Sequence, residues 1–133
     1  MTITEVSKKF DLSADTLRYY ERIGLIPPVP RNKSGIRDYG EESCNWISLM
    51  KCMRKAGVQI EALIEYVALF QKGESTAPAR KMLLVEQRNR LLERMEDMKA
   101  SLKRLDEKIA GYEQGPMRME RHLRELQEKR ENG

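Results

Sequence analysis

The side chains best equipped for chemistry in this 133-residue chain are one thiol and a set of cations. Cys52 stands in Lys51-Cys52-Met53-Arg54-Lys55, where the three flanking cations favour the thiolate, the form that attacks electrophiles. The competing reading is a buried cysteine acting as a small hydrophobe. Cys44 lies too far away for a disulfide. Helical spacing separates the two by about 12 Å, beyond the Cα range of a bridge. Chemistry at Cys52 is therefore modification of a single thiol, by a carbonyl adduct or by oxidation. The cations concentrate near the start. Lys8, Lys9, Arg18, Arg22, Arg31, Lys33 and Arg37 face only Glu5, Asp11, Asp15 and Glu21 in residues 1–37, whereas the rest of the chain balances 18 basic against 17 acidic residues. Most of the net charge of +4 thus sits in the first quarter, which suits a polyanionic partner. His122 is the single histidine and has no cysteine near it, so no metal site of ordinary ligand spacing is expected. No histidine neighbours a nucleophile, and there is no glycine-rich phosphate loop. Neither an enzyme nor a cofactor is expected.

These groups need elements to hold them. Thr2-Ile3-Thr4-Glu5 fits a capping box, and Val6 and Phe10 share the face of the short helix it opens. Ser13 can cap a second helix, in which Leu17 and Tyr20 point to the core. Asp15, Tyr19 and Arg22 lie opposite, with Arg18 on the flank. Gly24 ends this helix and Pro27-Pro28 prevents its resumption. Two short helices joined by a tight turn, the second basic and aromatic outside, meet the needs of a helix-turn-helix reader. The cluster Asn32-Lys33-Ser34-Gly35 predicts a small β-hairpin carrying Arg31, Lys33 and Arg37, either a solvated loop or a basic wing along a phosphate backbone. A third helix is expected from about Gly40 to Ala56, with Trp46, Leu49, Met50 and Met53 apolar. A fourth runs from about Ile60 to Lys72, with Leu63, Ile64, Val67, Leu69 and Phe70 apolar.

A long helix follows, with Thr76 as its expected cap. Leu84, Leu91, Met95, Met98, Leu102, Leu105, Ile109 and Tyr112 recur at spacings of seven, four and three, an a/d seam of the coiled-coil type. Such a seam demands a partner, and a second copy of the chain supplies one. Gly111 and Gly115-Pro116 are read as its stop. The domains are then 1–73, helix-turn-helix with wing; 74–113, dimerisation helix; and 114–133, a polar tail, either a short helix or disordered. No apolar run reaches the roughly 20 residues of a membrane span, and the start lacks a signal-peptide pattern. A cytoplasmic, homodimeric protein without membrane contact is expected.

Leu17-Arg18-Tyr19-Tyr20-Glu21-Arg22-Ile23-Gly24-Leu25-Ile26, with Arg37-Asp38-Tyr39 and Ala56-Gly57, resembles the MerR family of bacterial regulators. The resemblance covers residues 2–72 closely and the long helix in pattern. It implies a mostly α, winged helix-turn-helix dimer on double-stranded promoter DNA, joined by a long antiparallel coiled coil. It also implies action through promoter distortion, which realigns the promoter elements for RNA polymerase. On this resemblance Thr16, Arg18 and Tyr19 belong to the groove and adjacent backbone, with Arg22 beside them on the outward face. Lys33, Arg37 and Tyr39 belong to phosphates. Arg18 reads a guanine or grips a phosphate, and both readings stand. The metal-sensing and iron–sulfur branches need cysteines that Gly73–Ala79 and Gly111–Met119 lack, and the multidrug branch needs a larger ligand domain. Met50–Gly57 resembles instead the thiol-bearing, aldehyde-responsive branch, in which the cysteine at this place reacts. The competing functions are a regulator with a noncovalent ligand or none and, from another class, a helical adaptor binding proteins through its coiled coil.

Overall fold

Thr2 and Glu5 close the first helix reciprocally: the Glu5 amide donates to the Thr2 hydroxyl at 3.2 Å and the Thr2 amide to the Glu5 carboxylate at 3.1 Å. The structure is a computed structural model that describes residues 1–132. In chain order its helices are α1 (Ile3–Phe10), α2 (Ala14–Arg22), α3 (Glu41–Lys55), α4 (Ile60–Lys72), α5 (Ala77–Glu113) and α6 (Pro116–Asn132), with one 3-10 turn at Glu74–Thr76. The chain divides into two compact units, residues 1–91 and the remainder from Leu92.

Within the first unit, α1 to α4 enclose a single apolar core that includes Val6, Leu17, Leu25, Ile26, Ile47, Met50, Leu63 and Val67. The chain leaves α2 by a Schellman turn. The Leu25 amide donates to the Tyr20 carbonyl at 2.9 Å and the Gly24 amide to the Glu21 carbonyl at 3.2 Å, with Gly24 at φ +81°. This turn aims Leu25 and Ile26 into the core. A Cβ on Gly24 would find its nearest neighbour, Ile64 Cγ2, at an ordinary 3.8 Å, so space does not require glycine here; the left-handed backbone does. Gly24→Ala is therefore expected to cost about 1–2 kcal/mol, read as a melting temperature lower by about 3–10 °C.

The core side of α3 is Cys44, Ile47 and Met50, with Trp46 and Met53 at its edges, and Leu49, expected on the apolar face, is exposed. Trp46 packs edge-on against Phe70 and Tyr66, with ring centroids 5.0 and 5.9 Å apart, and so joins α3 to α4. The first turns of α5 belong to this unit. Leu83, Leu84, Gln87 and Leu91 face Met53, Val58, Leu63 and Tyr66 across an apolar cavity of about 220 Å³.

The expected hairpin is a loop. No strand forms among the described residues, and the wing is closed by a single antiparallel bridge between Arg31 and Arg37. Asn32 takes the place of a ladder, its side-chain oxygen accepting from the amides of Ser34 (2.9 Å) and Ile36 (3.1 Å). Thr76 stands directly before α5. Its hydroxyl lies 2.7 Å from the Leu69 carbonyl and 2.8 Å from that of Gly73, and it accepts from Arg80 Nε at 3.0 Å, so it ties the end of α4 to the start of α5. In the second unit, α5 runs through Gly111, because a lone glycine weakens a helix without breaking it, and ends at Glu113, just before the expected stop at Gly115-Pro116. The tail left open above is helical, as α6.

Candidate nucleic-acid interface

Ser13 starts α2 by accepting the Thr16 amide at 3.0 Å, and its hydroxyl pairs with that of Thr16 at 2.8 Å. That cap sets the helical phase. Leu17 and Tyr20 are buried, while Arg18, Tyr19 and Arg22 stand outside. Tyr19 is 40% exposed, and the Arg22 guanidinium lies 5.3 Å from its ring centroid, so the two present a joint cationic and aromatic surface. Arg18 makes an exposed ion pair with Asp15 at 3.0 Å. Exposed pairs of this kind contribute little, so a phosphate or a base edge can displace the carboxylate.

The wing is fastened to this helix by Glu21. One carboxylate oxygen accepts from Arg37 Nε at 2.6 Å and the other from the Val29 amide at 2.8 Å. The Glu21 and Arg37 side chains are only 14% and 25% exposed. Burial by itself pushes the Glu21 carboxyl up, but the hydrogen bonds from Arg37 and Val29, with the charges of Arg37 and Arg31, hold it below the usual carboxylate range. Arg37 is thus held by a carboxylate through one of its five N–H donors. Lys33 is exposed at the wing's tip. Tyr39, assigned to a phosphate, is corrected. It is fully buried, and its hydroxyl has no hydrogen-bond partner among the described residues. Its amide donates to the Met1 carbonyl at 2.8 Å, which turns the chain inward directly after the wing. Burial pushes its phenol above the usual tyrosine range, and the nearby Arg37 charge offsets this only in part.

Cys52 is exposed on α3, whereas Cys44 is buried. Two of the three cations counted beside Cys52 are engaged elsewhere. Lys51 Nζ donates to the Phe10 carbonyl at the end of α1, and Arg54 donates to the Val58 carbonyl at 3.1 Å. Lys55 is exposed. Of the residues assigned to dimerisation, Leu91 is half-buried and Leu84 and Met95 are exposed. Met98, Leu102, Leu105 and Ile109 are between 54% and 70% exposed in the isolated chain.

Sequence reasoning gave no role to Val29 and missed the fastening roles of Glu21 and Asn32. Asn32 was legible as a turn former. Glu21 stood in the motif on α2, but nothing local marked its partners, which lie 8 and 16 residues further on.

A capped basic second helix, a wing fastened to it and a long helix with an apolar stripe define a helix-turn-helix DNA-binding regulator. Residues 1–69 match the model of the MerR HTH family regulatory proteins, and the chain belongs to the MerR family. It is 60% identical over 93 residues to the HTH-type transcriptional regulator AdhR of Bacillus subtilis, a match covering 70% of this chain and 66% of AdhR. It is similar to the crystal structure of a MerR family transcriptional regulator from Listeria monocytogenes, with a TM-score of 0.86, 48% identity and 98% of each chain covered. It is also similar to HiNmlR, a MerR family regulator lacking the sensor domain and solved bound to promoter DNA. There the TM-score is 0.77 and the identity 27%, over 85% of this chain and 90% of that one. These relatives are transcription regulators, not enzymes.

Proposed function

We infer that the protein is a homodimeric regulator that grips a promoter duplex, deforms it for RNA polymerase and is switched by covalent modification of Cys52. The observation that carries the reading is the division of α2 into a buried face of Leu17 and Tyr20 and an outward face of Arg18, Tyr19 and Arg22. The outward face enters the major groove with Thr16 at its leading end, and Lys33 and Arg37 lie along phosphates. Two such readers, spaced by paired α5 helices, engage two half-sites. Bending the duplex between them costs a few kcal/mol, offset by the added phosphate contacts. The similarity to HiNmlR, solved on promoter DNA, supports this mode of binding.

Exposure of Cys52 supports its part as the switch. In the reaction with an aldehyde, the sulfur adds to the carbonyl carbon, a C–S bond forms, the C=O double bond becomes single and the thiol proton ends on the oxygen. The adduct adds bulk on α3 between Lys51, which fastens α1, and Arg54, which fastens the α3–α4 turn. Either tie is a route from the thiol to the orientation of the reader.

The test is footprinting on the DNA upstream of its own coding sequence, with and without formaldehyde or methylglyoxal. The wild type is expected to change its footprint with aldehyde. Cys52→Ser is expected to bind within about twofold of the wild type, the span of an ordinary surface substitution, and to give one footprint under both conditions. An aldehyde response in Cys52→Ser removes the thiol from the mechanism. That outcome would favour a noncovalent apolar ligand in the 220 Å³ cavity beside Met53 and Tyr66.

A further inference from the structure

We propose that Ile36, at the wing, is an apolar contact to the deoxyribose faces of the bound duplex, adding affinity that owes nothing to charge. Scattered exposed hydrophobics need no explanation on a protein surface. Three observations set Ile36 apart. It is 60% exposed, although it follows a loop otherwise made of polar residues and glycine. Its backbone is held at both ends by one residue: its amide donates to Asn32 Oδ1 at 3.1 Å and its carbonyl accepts the Asn32 amide at 2.8 Å. Its neighbours are then locked in turn. Arg31 donates to the Gly35 carbonyl at 3.0 Å, and Arg37 pairs with Glu21 of α2 at 2.6 Å.

The consequence is a stiff, β-branched side chain displayed beside Arg31, Lys33 and Arg37, at a position tied to the recognition helix by a partly buried ion pair. Little ordering entropy remains to be lost when such a side chain meets a surface. Cations bring the loop against the phosphates. Between neighbouring phosphates a duplex offers the C–H faces of its sugars, the apolar surface nearest to them. A contact of this type is blind to sequence and releases no counterions, so it leaves the salt dependence alone.

This inference rests on the DNA-binding reading, and the test separates the two. Binding of the full-length wild type, Ile36→Ser, Ile36→Val and Lys33→Ala is measured on a 30-base-pair duplex of mixed sequence and on the upstream DNA, across a salt series. Ile36→Ser is expected to bind about tenfold more weakly on both duplexes, with the wild-type slope of log affinity against log salt. Ile36→Val is expected to recover most of the loss. Lys33→Ala is expected to weaken binding and reduce the slope by about one. Because Ile36 lies outside the core, the melting temperature of Ile36→Ser is expected to match the wild type. Serine binding within twofold of isoleucine on both duplexes, or a slope change like that of Lys33→Ala, overturns the proposal. A loss confined to one sequence overturns the sugar contact in favour of base reading. A wild type that ignores duplex DNA at low salt overturns both this and the function it rests on.

Discussion

The double substitution Leu102→Lys and Leu105→Lys is expected to convert the protein to a monomer and to weaken its binding to a two-half-site duplex by about 10²–10⁴-fold. Lysine equals leucine in helix propensity, so the helix itself is not at stake. What changes is the stripe. Met98, Leu102, Leu105 and Ile109 follow each other at spacings of four, three and four, all more than half exposed in the isolated chain, with Lys99, Lys103, Arg104, Asp106, Glu107 and Lys108 on the other positions. A row of large apolar side chains with charges of both signs on either side suits a second copy of the same helix. Removing two buried leucines from such a seam costs about 2–5 kcal/mol each, and a symmetric pair loses them twice. The ammonium groups add a desolvation cost. Analytical ultracentrifugation reads the mass, circular dichroism checks that helicity is kept, and binding to one and to two half-sites reads the function. Affinity for one half-site is expected to stay near its wild-type value, since the reader is untouched. A variant that still sediments with the wild type removes this stripe from the dimer interface.

The parts of the molecule that were legible in its sequence are those governed by bonds three or four residues long. The capping box of Thr2 and Glu5, the Ser13 cap, the turn at Gly24 and the inward phase of Tyr20 all depend on local spacing, and the structure has each of them. The bounds of α4, Ile60–Lys72, follow from the same kind of signal.

Errors arose where a distant group decides. The resemblance assigned Arg37 and Tyr39 alike to phosphates, as if both stood on the wing. The wing ends between them instead. The Asp38 amide donates to the Pro30 carbonyl at 2.7 Å and the Tyr39 amide to that of Met1 at 2.8 Å, and the second bond carries the phenol into the core. The partner of Lys51, beside Cys52, was equally out of reach of local spacing, because it is a carbonyl 41 residues earlier in the chain. In α3 two stripes with helical spacing compete. Packing chose Cys44, Ile47 and Met50 over the one containing Leu49, a choice that composition does not encode.

The partners of Glu21 were not legible in the sequence, and Glu21→Ala carries the second large effect. Its carboxylate uses both oxygens, one on Arg37 and one on the Val29 amide, in a setting only 14% exposed. Alanine leaves an arginine and an amide without their acceptor, and removing one member of a mostly buried pair costs more than the pair contributes. The expected loss is about 2–3 kcal/mol of stability at pH 7. Duplex affinity is expected to fall about tenfold besides, because the wing that carries Lys33 and Ile36 is no longer fixed to α2, and ordering it on binding costs on the order of 1 kcal/mol per side chain. The pH dependence follows from the direction of the shift. A carboxyl held below its unfolded value of about 4.3 contributes its stability above that pH. The contribution is lost as the pH falls through the lower value it has in the fold. Urea denaturation of wild type and Glu21→Ala is therefore expected to differ most at neutral pH and to converge in acid. Glu21→Gln, which can still accept from Val29 but has no charge for Arg37, is expected to fall between them at pH 7 and to lack the acid-sensitive component. A difference that does not shrink as the pH falls would mean that the side chain stabilises the wing by packing rather than by charge, and the electrostatic fastening of the wing to α2 would be lost with it.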